Sequence, residues 1–164
     1  MVQQGHNEEG TVQIQKGLAA LHESGAEFRK PYFLCLLAEA CLGANHYDQG
    51  LSALHEALAA AEKNEDHSHQ PDIHRLEGEL LLRRNSSNAS QAQTCFEQAI
   101  EIARKQSAKS LELRATTSLA RLLSTQGKRD EARAMLAEIY NWFIEGFETA
   151  DLKDAKALLD ELSE

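Results

Sequence analysis

Four segments at nearly even spacing decide the fold: 10–18 (GTVQIQKGL), 50–58 (GLSALHEAL), 92–100 (AQTCFEQAI) and 132–140 (ARAMLAEIY). The small residue opening each, Gly10, Gly50, Ala92 and Ala132, recurs at intervals of 40, 42 and 40 residues. Four positions later stands a large apolar residue: Ile14, Leu54, Phe96 and Leu136. Three further on come Gly17, Ala57, Ala99 and, departing from the pattern, Ile139. Offsets of four and seven share one helical face, so each segment predicts a helix with alternating small and large residues along its buried stripe. The small positions let a neighbour approach closely, and the large ones fill the space between.

Each of the last three segments is preceded by another amphipathic stretch, at 31–43, 71–85 and about 110–126, with Ala38, Gly78 and Ala120 at the equivalent small position. Turn-forming residues separate the members of each pair: Gly43 to Asn45, the polar run Asn85 to Asn88, and Gly127 before Lys128. Pro31 and Pro71, the two prolines, stand where helices begin. An apolar share of 42% with few aromatics suits a chain of helices joined by short connections.

Paired helices with this small-residue spacing resemble the tetratricopeptide repeat, whose usual period is about 34 residues. The longer period here resembles the helical C-terminal region of large bacterial signalling ATPases, often joined to class III nucleotide cyclase or DNA-binding domains. The runs GLAALHESGAEFRKPYFLCLLAEA (17–40), RLEGELLL (75–82), CFEQAIEIARKQSAKSLELRA (95–115) and FETADLKDAKALLDEL (147–162) carry that resemblance. It implies an all-α, right-handed superhelix of antiparallel helix pairs. The expected division is a half repeat at 8–24, full repeats at 30–64, 71–106 and 108–144, and a capping helix at 149–163. No catalytic or nucleotide-binding motif of such parent proteins is present in the chain.

The two ends differ. Thr149 is the expected N-cap of the last helix, with Asp151 in its first turn and Leu152, Ala155, Leu158, Leu159 and Leu162 on one face. Trp142, Phe143 and Phe147 are expected to seal the last repeat against it; a ligand pocket is the alternative. The stretch QQGHNEEG (3–10) reads instead as a turn leading directly into a second-of-pair helix. Val12, Ile14, Leu18 and Leu21 are then left partly bare, as expected of a fragment of a longer solenoid or of a self-association face.

A net charge of −9 argues against nonspecific binding to nucleic acid or anionic membrane. Charge is nonetheless uneven: residues 104–133 hold eight Lys/Arg against three Asp/Glu, and residues 145–164 hold two against seven. A basic repeat beside an acidic end helix accounts for this, with head-to-tail contact between copies as the alternative. Cys35, Cys41 and Cys95 have no paired spacing and lie in apolar stretches; with no signal segment or long apolar run, a reducing, cytoplasmic setting is expected.

The chemistry of catalysis has no foothold. There is no phosphate-binding glycine loop, no nucleophile elbow and no zinc-protease helix. Asp66, His67, His69, Asp72 and His74 cluster around the start of one helix pair, without a cysteine partner or a closed four-ligand spacing. A solvated connection is the expected reading, and no catalytic, cofactor or metal site is assigned.

In a superhelix of paired helices the first helix of each pair lines the inner face. Tyr32, Cys35, Glu39 and Leu42, then Asp72, Arg75, Glu79 and Arg83, then Arg114, Thr117 and Arg121 fall on that line. The arginines suit a protein or peptide partner carrying carboxylates, or else pair with neighbouring acids. Tetratricopeptide proteins that clamp chaperone C-termini use Lys and Asn at groove positions; Cys35 and Glu39 stand there instead, so that function is not expected. The sequence therefore points to a non-enzymatic protein–protein interaction scaffold, which the resemblance makes the C-terminal regulatory part of a larger bacterial signalling ATPase or cyclase, with a free-standing self-associating adaptor as the alternative.

Overall fold

The computed structural model describes residues 2–24 and 27–164, and among these it is all-helical. The helices are α1 (Val2–Ser24), α2 (Lys30–Ala44), α3 (Tyr47–Lys63), α4 (Gln70–Arg84), α5 (Ala89–Lys105), α6 (Lys109–Thr125), α7 (Arg129–Tyr140) and α8 (Ala150–Ser163). Single 3-10 turns at Glu27–Arg29 and Ser86–Asn88 lead into α2 and α5. No helix among the described residues is long and apolar enough to cross a membrane.

Local chemistry sets most of these boundaries. Pro31 and Pro71 lie in the first turns of α2 and α4, where a missing N–H costs nothing. Asn45 closes α2 in the left-handed region at φ 62, donating its N–H to the Leu42 carbonyl. Gly127 reverses the chain after α6 at φ 80, a conformation other side chains resist. Thr149 does precede α8, but its hydroxyl donates to the Gly146 carbonyl at 2.8 Å and does not cap the helix.

The expected turn at residues 3–10 is absent: α1 runs unbroken from Val2 to Ser24. Gln and Glu are good helix formers, no proline interrupts them, and two glycines cost only about 2 kcal/mol of propensity. Gly10 meets no atom within 4 Å of an added Cβ, so it is not the close-packing glycine that the repeat pattern suggests.

Packing follows the small–large pattern in the three pairs beyond α1. Leu54, Phe96 and Leu136 are fully or almost fully buried, as are Ala57, Ala92, Ala99 and Ala132. Gly78 of α4 lies directly under the Phe96 ring of α5, and Gly50 of α3 lies under Leu80 of α4. Burying each such large side chain stabilises the fold by roughly 2–3 kcal/mol. One core cluster joins α2, α3 and α4, with Ile14 and Leu18 of α1 against it; the other joins α5 to α8.

Every helix packs on the next one in the chain. Beyond that, α2 packs on α4, α4 on α6 and α6 on α8, while α1, α3, α5 and α7 make no such mutual contacts among the described residues. The even helices therefore form a touching row and the odd helices a spread one. Two apolar clefts open between odd helices as a result. One, of about 420 Å³, is lined by Leu18, Leu21, Leu34 and Leu37. The other, of about 440 Å³, is floored by Ile100, Leu119, Leu123 and Met135.

Candidate functional site

The even row presents one continuous polar face. Seven of the eight residues assigned to it from sequence, Tyr32, Glu39, Asp72, Arg75, Glu79, Arg114 and Arg121, line two adjoining cavities of about 150 and 140 Å³. Arg83, the eighth, is exposed and lines neither. The helical repeat explains the grouping: positions three, four and seven apart on α2, α4 and α6 stack along the row.

A chain of ion pairs crosses the helices. Asp72 of α4 accepts from Arg75 Nε at 3.0 Å and from Arg114 Nη1 of α6 at 3.1 Å. Arg114 Nε turns to Asp151 of α8, also at 3.1 Å. Arg121 binds Asp154 one turn further along α8, and Glu79 accepts from the Ser118 hydroxyl at 2.7 Å. Partial burial opposes the charge on Arg114, but Asp72 and Asp151 outweigh it and hold the guanidinium above its ordinary pKa. For Arg121 the hydrogen bond to Asp154 does the same.

Asp151, Asp154 and Ser118 were not assigned to this face from sequence. The sequence does place Asp151 and Asp154 one turn apart near the start of α8, but their partners lie 37 and 33 residues away. Their arrival changes the electrostatics. The arginines expected to receive a partner's carboxylates already hold carboxylates of the same chain. The two cavities together contain three arginines and five carboxylates, an excess of acceptors.

Cys35 lines the same face, but burial and then Asp72 push its thiol up to about 12, so it is no nucleophile near neutral pH. Cys41 and Cys95 are likewise buried and free. The polar cluster before and within α4 disperses. Asp66 accepts from the Ser68 N–H, His67 meets Gln70 at 3.0 Å, the His69 ring stands 5.7 Å from that of Tyr32, and His74 faces Glu77. Among the described residues no group of three or more His, Cys, Asp or Glu is arranged to hold a metal ion.

The proposed self-association face divides as well. Val12 is 49% exposed, whereas Ile14 and Leu18 pack partly on the core of α2 to α4, and Leu21 joins Leu18 in the 420 Å³ cleft. The aromatic seal is corrected in part: Phe143 packs on the core, but Trp142 and Phe147 are 58% and 43% exposed. In the connection from α7 to α8 only Phe143 joins the core cluster; Phe147 stands against the Tyr140 ring at 5.9 Å and Trp142 against the Phe143 ring at 5.2 Å.

Compared with known proteins, the chain matches no family model and no curated protein.

Proposed function

We propose that this chain is a non-catalytic interaction scaffold of the tetratricopeptide kind, a right-handed superhelix of antiparallel pairs whose even helices form the inner, partner-holding face. The contact pattern carries the reading. Even helices touch one another and odd helices do not, which suits a stack curved toward its even row, with side chains of several pairs converging on one groove. A groove of this kind takes an extended segment or a helix from another protein.

The balance of charge favours a partner segment bearing Lys or Arg over one bearing carboxylates. Asp151 and Asp154 already occupy Arg114 and Arg121, and a carboxylate ligand would have to displace them. Glu39 and Glu79, at the centre of the groove, are placed to accept from a cationic side chain.

Selection from a random peptide library displayed on phage tests this reading. Enrichment of Lys- and Arg-containing peptides is expected, with binding lost at least tenfold in Glu39→Arg and Asp154→Arg. Enrichment of acidic peptides, or equal retention by both variants, would overturn it.

The same reading makes the module the C-terminal regulatory part of a larger bacterial signalling ATPase or cyclase, with the groove engaging a regulatory protein or upstream domains of the parent. Native mass in the source cells decides this. A band far above 18.2 kDa supports the larger parent, and one at 18.2 kDa removes it.

A further inference from the structure

The even helices repeat in register. Ala38, Gly78 and Ala120 hold the same small position on α2, α4 and α6, so the next residues, Glu39, Glu79 and Arg121, follow one another across the inner face. That line reads acid, acid, base. Arg121 is bound by Asp154, Arg75 by Asp72, and Arg114 by Asp72 and Asp151. Of the five carboxylates lining the two cavities, these three aspartates are thus matched to the three arginines. Glu39 and Glu79 remain. Among the described residues Glu39 makes no hydrogen bond or ion pair; it is exposed, and Arg114 feels its charge without bonding it. Glu79 accepts from the Ser118 hydroxyl and is bonded by no cation, although its charge also reaches Arg121.

The wall beside these carboxylates is apolar. Tyr32, 42% exposed, lines the same cavity as Glu39 together with Leu36 and Leu76. An aromatic and aliphatic wall ending in an unmatched carboxylate fits the long stem and cationic head of Lys or Arg. The cavities of 150 and 140 Å³ are each far below the roughly 300 Å³ or more of a small-molecule site, and suit single side chains of a longer ligand. Spacing then selects the ligand's conformation. Packed helices stand roughly 8–10 Å apart. A polyproline-type segment returns a side chain to the same face every third residue, after about 9 Å. A β-strand does so every second residue, after about 7 Å, which falls short. A helix would need seven residues for about 10 Å, and its own width of about 10 Å has no place in cavities of this size.

We infer that the inner face binds an extended, polyproline-like segment of another protein carrying two basic residues three positions apart, one on Glu39 of α2 and the other on Glu79 of α4. This rests on the inner groove as the partner-holding face, and adds to it the ligand's conformation and the spacing of its charges. The acidic line stops at Arg121, which is itself cationic and already holds Asp154. The matching segment is therefore dibasic, and a longer basic run gains nothing from the next helix.

Fluorescence anisotropy of the full chain with labelled proline-rich peptides tests it. The peptides share one composition and differ only in placing one, two or six residues between two lysines. The peptide with two residues between its lysines should bind about fivefold tighter than either isomer, the scale of one exposed ion pair. Glu39→Gln and Glu79→Gln should each bring it down to the level of the isomers, because one carboxylate alone cannot read a spacing. Both variants should keep the fold by circular dichroism: Glu39 is exposed, and glutamine at 79 still offers a carbonyl oxygen to the Ser118 hydroxyl. Equal binding of all three peptides, with that binding weakened by both substitutions, overturns the inference and leaves the groove reading standing. Preference for the six-residue separation overturns it in favour of a helical ligand. A spacing preference kept in both variants overturns it by placing the peptide elsewhere. Binding of none of the three overturns the inference and the groove reading together.

Discussion

An alanine at position 78 would put its Cβ 2.5 Å from one ring carbon of Phe96 and 2.9 and 3.0 Å from two others. Carbon atoms rest at about 3.5–4.0 Å, so the ring would have to retreat by about 1 Å. Phe96 is fully buried between α4, α5 and α6 and has no open side to retreat into. Overpacking of this kind costs about 1–3 kcal/mol, while replacing a helical glycine returns about 1 kcal/mol, so Gly78→Ala alone should cost about 0–2 kcal/mol. Phe96→Leu alone leaves a cavity and should cost about 1–2 kcal/mol. The other two pairs solve the same problem differently: Ala38 accompanies Leu54, and Ala120 accompanies Leu136, each pair within one core cluster. The double variant Gly78→Ala, Phe96→Leu recreates that combination. Its destabilisation should fall short of the sum of the single ones by about 1–3 kcal/mol. Urea unfolding followed by circular dichroism measures all four corners of the cycle, and the propensity gain cancels because it is present in both backgrounds. A coupling within about 0.5 kcal/mol of zero would refute the argument that glycine stands at 78 to admit phenylalanine at 96.

Glu112, buried between Arg104 and Lys109, gives a pH-dependent test. Burial raises its pKa, but the hydrogen bonds from both cations outweigh this and hold the carboxyl below its ordinary value. A depressed carboxylate adds stability above its unfolded pKa of about 4.3 and loses it as pH falls through the lower folded value. Glu112→Gln should therefore cost about 1–3 kcal/mol at pH 7, and its deficit against the unsubstituted chain should shrink below about pH 4.5; a deficit in Tm unchanged from pH 7 to 3 would contradict this. The three buried thiols, with Cys35 pushed up to about 12 and Cys95 to about 11, should react with an aromatic disulfide reagent at pH 8 only after denaturation. Rapid stoichiometric labelling of the native protein would show that one of them is open to solvent.

Helix positions and the inward stripe were readable because both are local properties. Whether Leu54 or Phe96 faces inward depends on residues three, four and seven away, and helix geometry brings those together in any surroundings. Chain reversals at Asn45 and Gly127 were readable for the same reason, since a left-handed residue is demanded within a few positions. The start of α1 was not, because the glycines and polar residues of 3–10 suit a turn and a helical stretch alike. The choice between them depends on a balance of propensities within a few kcal/mol. Trp142 and Phe147 misled for a different reason. An aromatic cluster beside a helix start suggests a seal, but a ring is covered only where two elements converge on it, and there only Phe143 meets the core.

From the sequence alone came the helical class, the pairing of helices at intervals near forty residues, the small and large positions of each pair, and seven of the side chains that share a polar face. Tertiary structure alone decided that α8 delivers Asp151 and Asp154 to Arg114 and Arg121, reversing the electrical character of that face. It also decided that Trp142, Ile144 and Phe147, in the link between α7 and α8, stay exposed while Phe143 turns inward. The physical reason is range. Periodicity and turn chemistry act over fewer than ten residues, whereas charge pairing across helices and the exposure of a connection depend on residues more than thirty positions apart, whose meeting is set by the packing of the whole stack.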